Sequence, residues 1–128
     1  MRCFRQSVAT LGVLVIATAL GNVQLAMGAG NAEAGGKLYQ ARCAPCHGAD
    51  GKAATPTAQA LTPKPRDHTD GAYMNQLSND HLVKVIKNGG AAVGKSPIMP
   101  PNSDLNDQQI EDIVAFVRGM AVPPYSSK

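Results

Sequence analysis

The sequence predicts one mainly helical domain behind a removable leader. Two segments, Ser78 to Asn88 and Asn106 to Val117, set apolar residues at helical spacing behind N-capping side chains. No stretch carries a convincing strand pattern, and no internal repeat is present. The length of 128 residues fits one domain rather than two.

Composition narrows the function classes. A charged fraction of 16% beside clear apolar clusters argues against intrinsic disorder. The formal net charge of +3 is too small for a nucleic-acid footprint, so no nucleic-acid partner is expected. Aromatic residues are only 4% of the chain, with no Trp, which leaves few large side chains to fill a core.

Residues 1–28 read as a cleavable signal peptide. Arg2 and Arg5 supply a positive n-region, and Val8 to Leu20 is a largely apolar run of thirteen residues. Ala26-Met27-Gly28 then gives a small-x-small pattern, with cleavage expected after Gly28 or Ala29. An uncleaved anchor would need roughly 20 apolar residues, and Asn22 and Gln24 interrupt the run first. Cys3 precedes the apolar run, unlike a lipoprotein cysteine, and leaves with the leader. What remains is a domain at 29–128, with its core at about 32–121 and a loose tail at 122–128. Without Arg2 and Arg5, ten basic residues face nine acidic ones. The expected location is periplasmic, with no membrane span after cleavage.

Asn31 to Ala44 reads as the first helix, with Ala32, Ala34, Leu38, Tyr39 and Ala41 as inward positions. Gly35 and Gly36 each cost that helix about 1 kcal/mol relative to Ala. The helix leads into Cys43-Ala44-Pro45-Cys46-His47, a C-x-x-C-H. This spacing reads as covalent attachment of one haem c. The thiols of Cys43 and Cys46 can add to the two vinyl groups on one porphyrin edge, and His47 is carried under the iron as proximal ligand. Other readings are weaker. A thioredoxin-like pair would open a helix after a strand, and here a helix precedes it. A zinc site would need a second ligand pair, and only His68 and His81 remain, apart from each other. A disulfide closing so short a loop would stabilise little.

Residues 48–72 are loop-rich, broken by Gly48, Gly51, Pro56, Pro63, Pro65 and Gly71. So long a loop is uncommon in a compact domain unless it packs on something else, and a haem supplies that surface. Pro56, or else Leu61 or Pro63, is a candidate to accept the His47 ring N–H through its carbonyl. Next comes the helix to Asn88, with Ser78 as N-cap, Leu77 and Leu82 as a hydrophobic staple, and Leu82, Val85 and Ile86 as its apolar stripe. Lys84 and Lys87 suit its C-terminal dipole, and Gly89 stops it.

The distal iron ligand has several candidates. Met99 lies in Ser96-Pro97-Ile98-Met99-Pro100-Pro101-Asn102, a proline-stiffened loop that holds a sulfur at low entropic cost. Met74 is placed to pack on the haem, and Met120 to extend the apolar side of the last helix. His68 and His81 read as surface residues, although either as ligand would give bis-His coordination. The last helix follows Asn106, with Gln109 completing a capping box and Leu105 stapled to Ile110. Asp107, Glu111 and Asp112 suit its N-terminal dipole; Ile110, Ile113, Val114 and Val117 form its buried stripe, flanked by Phe116.

Gly35-x-x-x-Tyr39, Cys43 to Gly48, Asn88-Gly89-Gly90 and Met99-Pro100 before an amphipathic helix occur here in that order. The chain from about Gly35 to Gly119 resembles the small monohaem class I cytochromes c of bacteria. The resemblance implies three to five helices wrapped around one covalently attached haem. It makes Gly35 a close contact with the last helix, and makes Met99 the distal ligand opposite His47. It also lays residues 61–67 along the haem edge, with Lys64 and Arg66 as candidates to meet a propionate. Two departures are the missing Trp and Phe116, where a Tyr or Trp is common.

With both axial positions filled, iron has no open site, and the expected function is one-electron transfer rather than catalysis. The implied partners are donor and acceptor redox proteins of respiratory or photosynthetic complexes, met by a monomer. Alternatives are a haem-bearing electron-entry subunit of a larger oxidoreductase complex, and a haem enzyme or ligand binder with an openable sixth site. A di-haem peroxidase would need a second C-x-x-C-H, and the sequence has none. The porphyrin also answers the aromatic deficit by supplying the large flat apolar surface of the core.

Overall fold

The computed structural model describes residues 29–126. The leader assigned to residues 1–28 lies outside them, as do residues 127 and 128. Among the described residues six α-helices follow one another: α1 (Ala32–Arg42), α2 (Ala44–His47), α3 (Pro56–Ala60), α4 (Gly71–Met74), α5 (Asn79–Asn88) and α6 (Asp107–Arg118). A 3-10 turn at Gly90–Val93 follows α5. Among the described residues there is no strand, only an isolated parallel bridge between Asp70 and Val122. The long helices α1, α5 and α6 are the expected ones; α2, α3 and α4 are single-turn pieces within or beside the loops.

Side-chain caps set the helix starts. The Asn31 carboxamide accepts from the amides of Glu33 and Ala34 at 3.0 and 3.1 Å. Ser78 Oγ accepts from His81 N–H at 3.1 Å. Asn106 and Gln109 form the reciprocal capping box at 2.9 and 3.0 Å. Each satisfies amides that the first helical turn leaves without partners.

α1 packs chiefly on α6. A Cβ added at Gly35 would stand 1.9 Å from the Asp112 carbonyl oxygen, so only glycine lets the two backbones approach this closely. Gly36 faces the ring of Phe116. Asp112 is buried, and rather than serving the helix dipole alone it accepts Asn31 N–H at 2.7 Å, tying the start of α1 to α6. The core joins Tyr39 from α1, Leu82 and Ile86 from α5, Leu105, and Ile110, Ile113, Val114 and Val117 from α6. Of the expected inward positions on α1, Tyr39 is buried and Ala34 and Leu38 are partly so, while Ala32 and Ala41 are exposed. The close crossing at Gly35 takes the place of a wider apolar stripe.

The C-terminal segment is not loose at its start. Val122 donates to Thr69 C=O at 3.0 Å and accepts from Gly71 N–H at 3.1 Å, and Asn75 Nδ2 reaches Pro123 C=O at 3.1 Å. The Arg118 guanidinium lies 3.8 Å over the Tyr125 ring. Main-chain pairing docks Val122, and the side chains of Asn75 and Arg118 hold Pro123 and Tyr125 behind it.

Candidate functional site

The helices enclose a cavity of about 590 Å³. One wall is the C-x-x-C-H turn: Cys43 caps α1, Cys46 and His47 belong to α2, and all three residues line the cavity. Leu82, Val85 and Ile86 of α5 and Ile113 and Val117 of α6 form its apolar floor. Met99 and Ile98 contribute from the proline loop, and Leu61, Pro63 and Lys64 from the segment after α3.

Both thiols are free and partly buried. Burial pushes the Cys43 thiol up to about 11, with Arg42 opposing the shift, so near neutral pH it is protonated. His47 Nδ1 lies 2.9 Å from the Arg66 carbonyl oxygen. A carbonyl only accepts, so Nδ1 carries the proton and Nε2 keeps the lone pair that a metal requires. Burial pulls the His47 imidazole below its ordinary pKa, and the Arg66 carbonyl opposes that pull. The neutral, ligating form is therefore favoured. The expected acceptor at Pro56, Leu61 or Pro63 is corrected to Arg66. The loop turns so that a carbonyl further along the chain reaches the ring, and every residue type has a carbonyl to offer.

The Met99 loop is held by backbone. Gly90 N–H donates to Met99 C=O at 3.1 Å, Lys95 N–H donates to Gly90 C=O at 2.9 Å, and Met99 N–H donates to Ser96 C=O at 3.3 Å. A Cβ at Gly90 would lie 2.2 Å from Ser96 C=O, so the loop seats directly on bare backbone. Asn102 closes the far side: its amide N–H reaches Ile86 and Lys87 carbonyls at 3.2 and 3.1 Å, and its Nδ2 reaches Ile86 C=O at 3.0 Å. It thereby also satisfies carbonyls at the C-terminus of α5. The structure brings Asn88-Gly89-Gly90 and the Met99 loop together into one unit. Lys87, assigned to the dipole of α5, pairs with Asp107 of α6.

The other ligand candidates separate by position. Met74 is 2% exposed within the core and also lines the cavity. Met120 packs on the core outside the cavity lining. His81 is partly buried at the cavity. The surface reading of His68 is corrected: its ring stacks on His47 with centroids 4.2 Å apart and planes at 17°. That places it against the His47 imidazole rather than across the cavity from it. Burial, and then the neighbouring His47, pull its pKa down to about 3. Lys64 bonds Gln59 at 2.7 Å and Arg66 lies 3.8 Å over the Tyr73 ring; both side chains stand at the cavity.

A helical shell around a cavity that exposes two thiols, an imidazole and a thioether defines a protein built to hold a covalently attached metallocofactor. The chain belongs to the cytochrome c family, which it matches over residues 32–121, and is a small class I member. Among solved structures it is similar to the KustC0563 c-type cytochrome at 28% identity, with a TM-score of 0.55, covering 68% of this chain and 96% of that one. It is also similar in fold to a chain titled "Kuenenia stuttgartiensis reducing HAO-like protein complex Kustc0457/Kustc0458". That match has 24% identity and a TM-score of 0.63, and it covers 79% of this chain but only 50% of the other. A search of curated proteins gave no match.

Membership implies covalently bound haem c, and the residues fit it. A cavity of about 590 Å³ lies in the range of cofactor sites, its floor is apolar, and both thiols and both candidate axial side chains line it. Among the described residues no helix is long and apolar enough to cross a membrane.

Proposed function

We propose that this chain is a periplasmic one-electron carrier in which Cys43 and Cys46 hold the haem and His47 and Met99 fill its two axial positions. One observation carries the reading. His47 and Met99 line one cavity from different segments, the His47 ring held by Arg66 C=O and the Met99 loop by main-chain hydrogen bonds. Bound haem supplies an Fe(III)/Fe(II) couple, and thioether ligation raises its potential.

The chain's own residues do the rest. Arg66 C=O fixes the tautomer of His47, and the Gly90 seat holds the Met99 loop in one place, so oxidation and reduction demand little rearrangement. The apolar floor from α5 and α6 excludes water. Lys64, Arg66 and Ile98, which is 51% exposed, form part of the cavity rim that a redox partner would meet. Such encounters are small and transient. The export leader at residues 1–28 places the domain outside the cytoplasmic membrane.

The test is carbon monoxide. The ferrous protein at neutral pH is expected to leave its spectrum unchanged under CO and to give up one electron per chain to an outer-sphere oxidant. Ready CO binding would replace the carrier with a protein whose sixth site opens. A second reading, a haem subunit of a larger oxidoreductase, draws support from the fold shared with a chain of the HAO-like complex. Gel filtration of the native protein separates the two: elution as a monomer favours the carrier, and stable co-elution with an oxidoreductase favours the subunit.

A further inference from the structure

We propose that His68 is a positioning residue for His47, its stacked imidazole fixing the plane in which His47 presents Nε2. The inference rests on His47 being the proximal ligand. A ring attached through Cβ can still turn about its Cβ–Cγ bond. The bond to Arg66 C=O limits that turn only loosely, because carbonyl acceptors tolerate a broad range of donor directions. A second ring lying face to face at 4.2 Å and 17° limits it by contact. One short segment supplies both restraints, the carbonyl of residue 66 at the ring edge and the imidazole of residue 68 on its face.

His68 is itself anchored. Its backbone N–H donates to Gly51 C=O at 2.8 Å, and its Nδ1 lies 3.1 Å from Tyr39 Oη. The Tyr39 hydroxyl donates to Gly48 C=O at 3.1 Å, so Nδ1 of His68 is the donor toward the phenol oxygen. Tyr39 is fully buried, with its ring 5.1 Å from that of Phe116 on α6. Asp67 stiffens the segment, accepting Thr69 N–H and Oγ1–H at 2.7 Å each. The chain of contacts closes on itself: His47 is bonded to Gly48, Gly48 is held by Tyr39, Tyr39 holds His68, and His68 stacks on His47. A partly buried imidazole is costly unless its polar atoms are used, and this circuit uses Nδ1. Such outer partners orient metal-binding histidines and tune the metal.

The test uses the haem-loaded protein and its paramagnetic proton NMR spectrum, in which the spread of the ferric haem methyl resonances reports the orientation of the axial imidazole. His68→Ala is expected to narrow that spread, as the His47 ring samples more orientations, and to shift the reduction potential. His68→Phe, which keeps a flat ring on His47, is expected to restore most of the spread. Tyr39→Phe, which removes the Nδ1 anchor together with the bond to Gly48 C=O but keeps the aromatic ring, is expected to narrow it partway. A methyl pattern unchanged in folded His68→Ala overturns the positioning role and leaves the ligand assignment standing. Should His68→Ala fail to take up haem, Tyr39→Phe decides the matter, and an unchanged pattern there counts against the proposal. A His47→Gln protein that keeps the wild-type low-spin spectrum overturns the ligand assignment and the inference with it.

Discussion

Arg118 shows how much one side chain can decide. It is 9% exposed, and its guanidinium donates to the carbonyls of Met74 and Leu77 at 2.7 and 2.5 Å and to Asn79 Oδ1 at 2.9 Å. Met74 and Leu77 lie at the end of α4 and in the link to α5, so this one fork ties the C-terminus of α6 to both. Arg118→Met keeps much of the apolar stem but strands two carbonyls. It is expected to cost about 2–4 kcal/mol, read as a lower denaturant midpoint at unchanged slope. Arg118→Lys recovers little, because a point charge cannot reproduce the planar fork. In the sequence Arg118 is simply a basic residue near a helix end; which carbonyls it meets depends on how α4 folds back. The same limit hid the Arg66 carbonyl and the stacked His68. Cys43, Cys46, His47 and Met99 stand out as candidates because a short motif or a proline-stiffened loop carries them, and all four line the one cavity.

At the scale of elements, the α1–α6 crossing turns on one missing methyl. Gly35→Ala would raise the intrinsic helix propensity of α1 by about 1 kcal/mol. Its Cβ would stand 1.9 Å from the Asp112 carbonyl, however, and backbone cannot yield as a flexible side chain can. Overpacking costs about 1–3 kcal/mol and outweighs the propensity gain, so the thermal midpoint of the haem-loaded protein is expected to fall. Gly36→Ala meets only the edge of the Phe116 ring, at 2.9 Å, and is expected to cost less. A ranking in which Gly35→Ala is the milder change would overturn the close-crossing account. The starts of α5 and α6 were readable because Ser78 and the Asn106/Gln109 pair announce them in side chains. The docking of Val122 was not, since main-chain pairing at Thr69 and Gly71 leaves no side-chain pattern.

For the whole molecule, the aromatic deficit and the cavity are two views of one fact. The core is built from Ile, Val and Leu with Met74, Ala121 and a single fully buried Tyr, arranged around about 590 Å³ of space. Covalently bound haem is expected to close that space. Domains of this size bury only about two thirds of their unfolded surface and are marginal even when filled. Haem-free protein is therefore expected to be largely unfolded, with no cooperative thermal transition by circular dichroism, while the haem-loaded form melts sharply. A cooperative melt of the haem-free chain would mean that the helices pack without the porphyrin.

In the proposed carrier, Met99 and His47 together close the iron. The ferric absorption spectrum of the wild type beside Met99→Ala tests it most directly. The wild type is expected to display the weak long-wavelength charge-transfer band of a sulfur–iron bond, and Met99→Ala to lose it while remaining folded and haem-loaded. A band that persists in Met99→Ala, or is missing from the wild type, would contradict the account and return the sixth position to Met74, His81 or solvent.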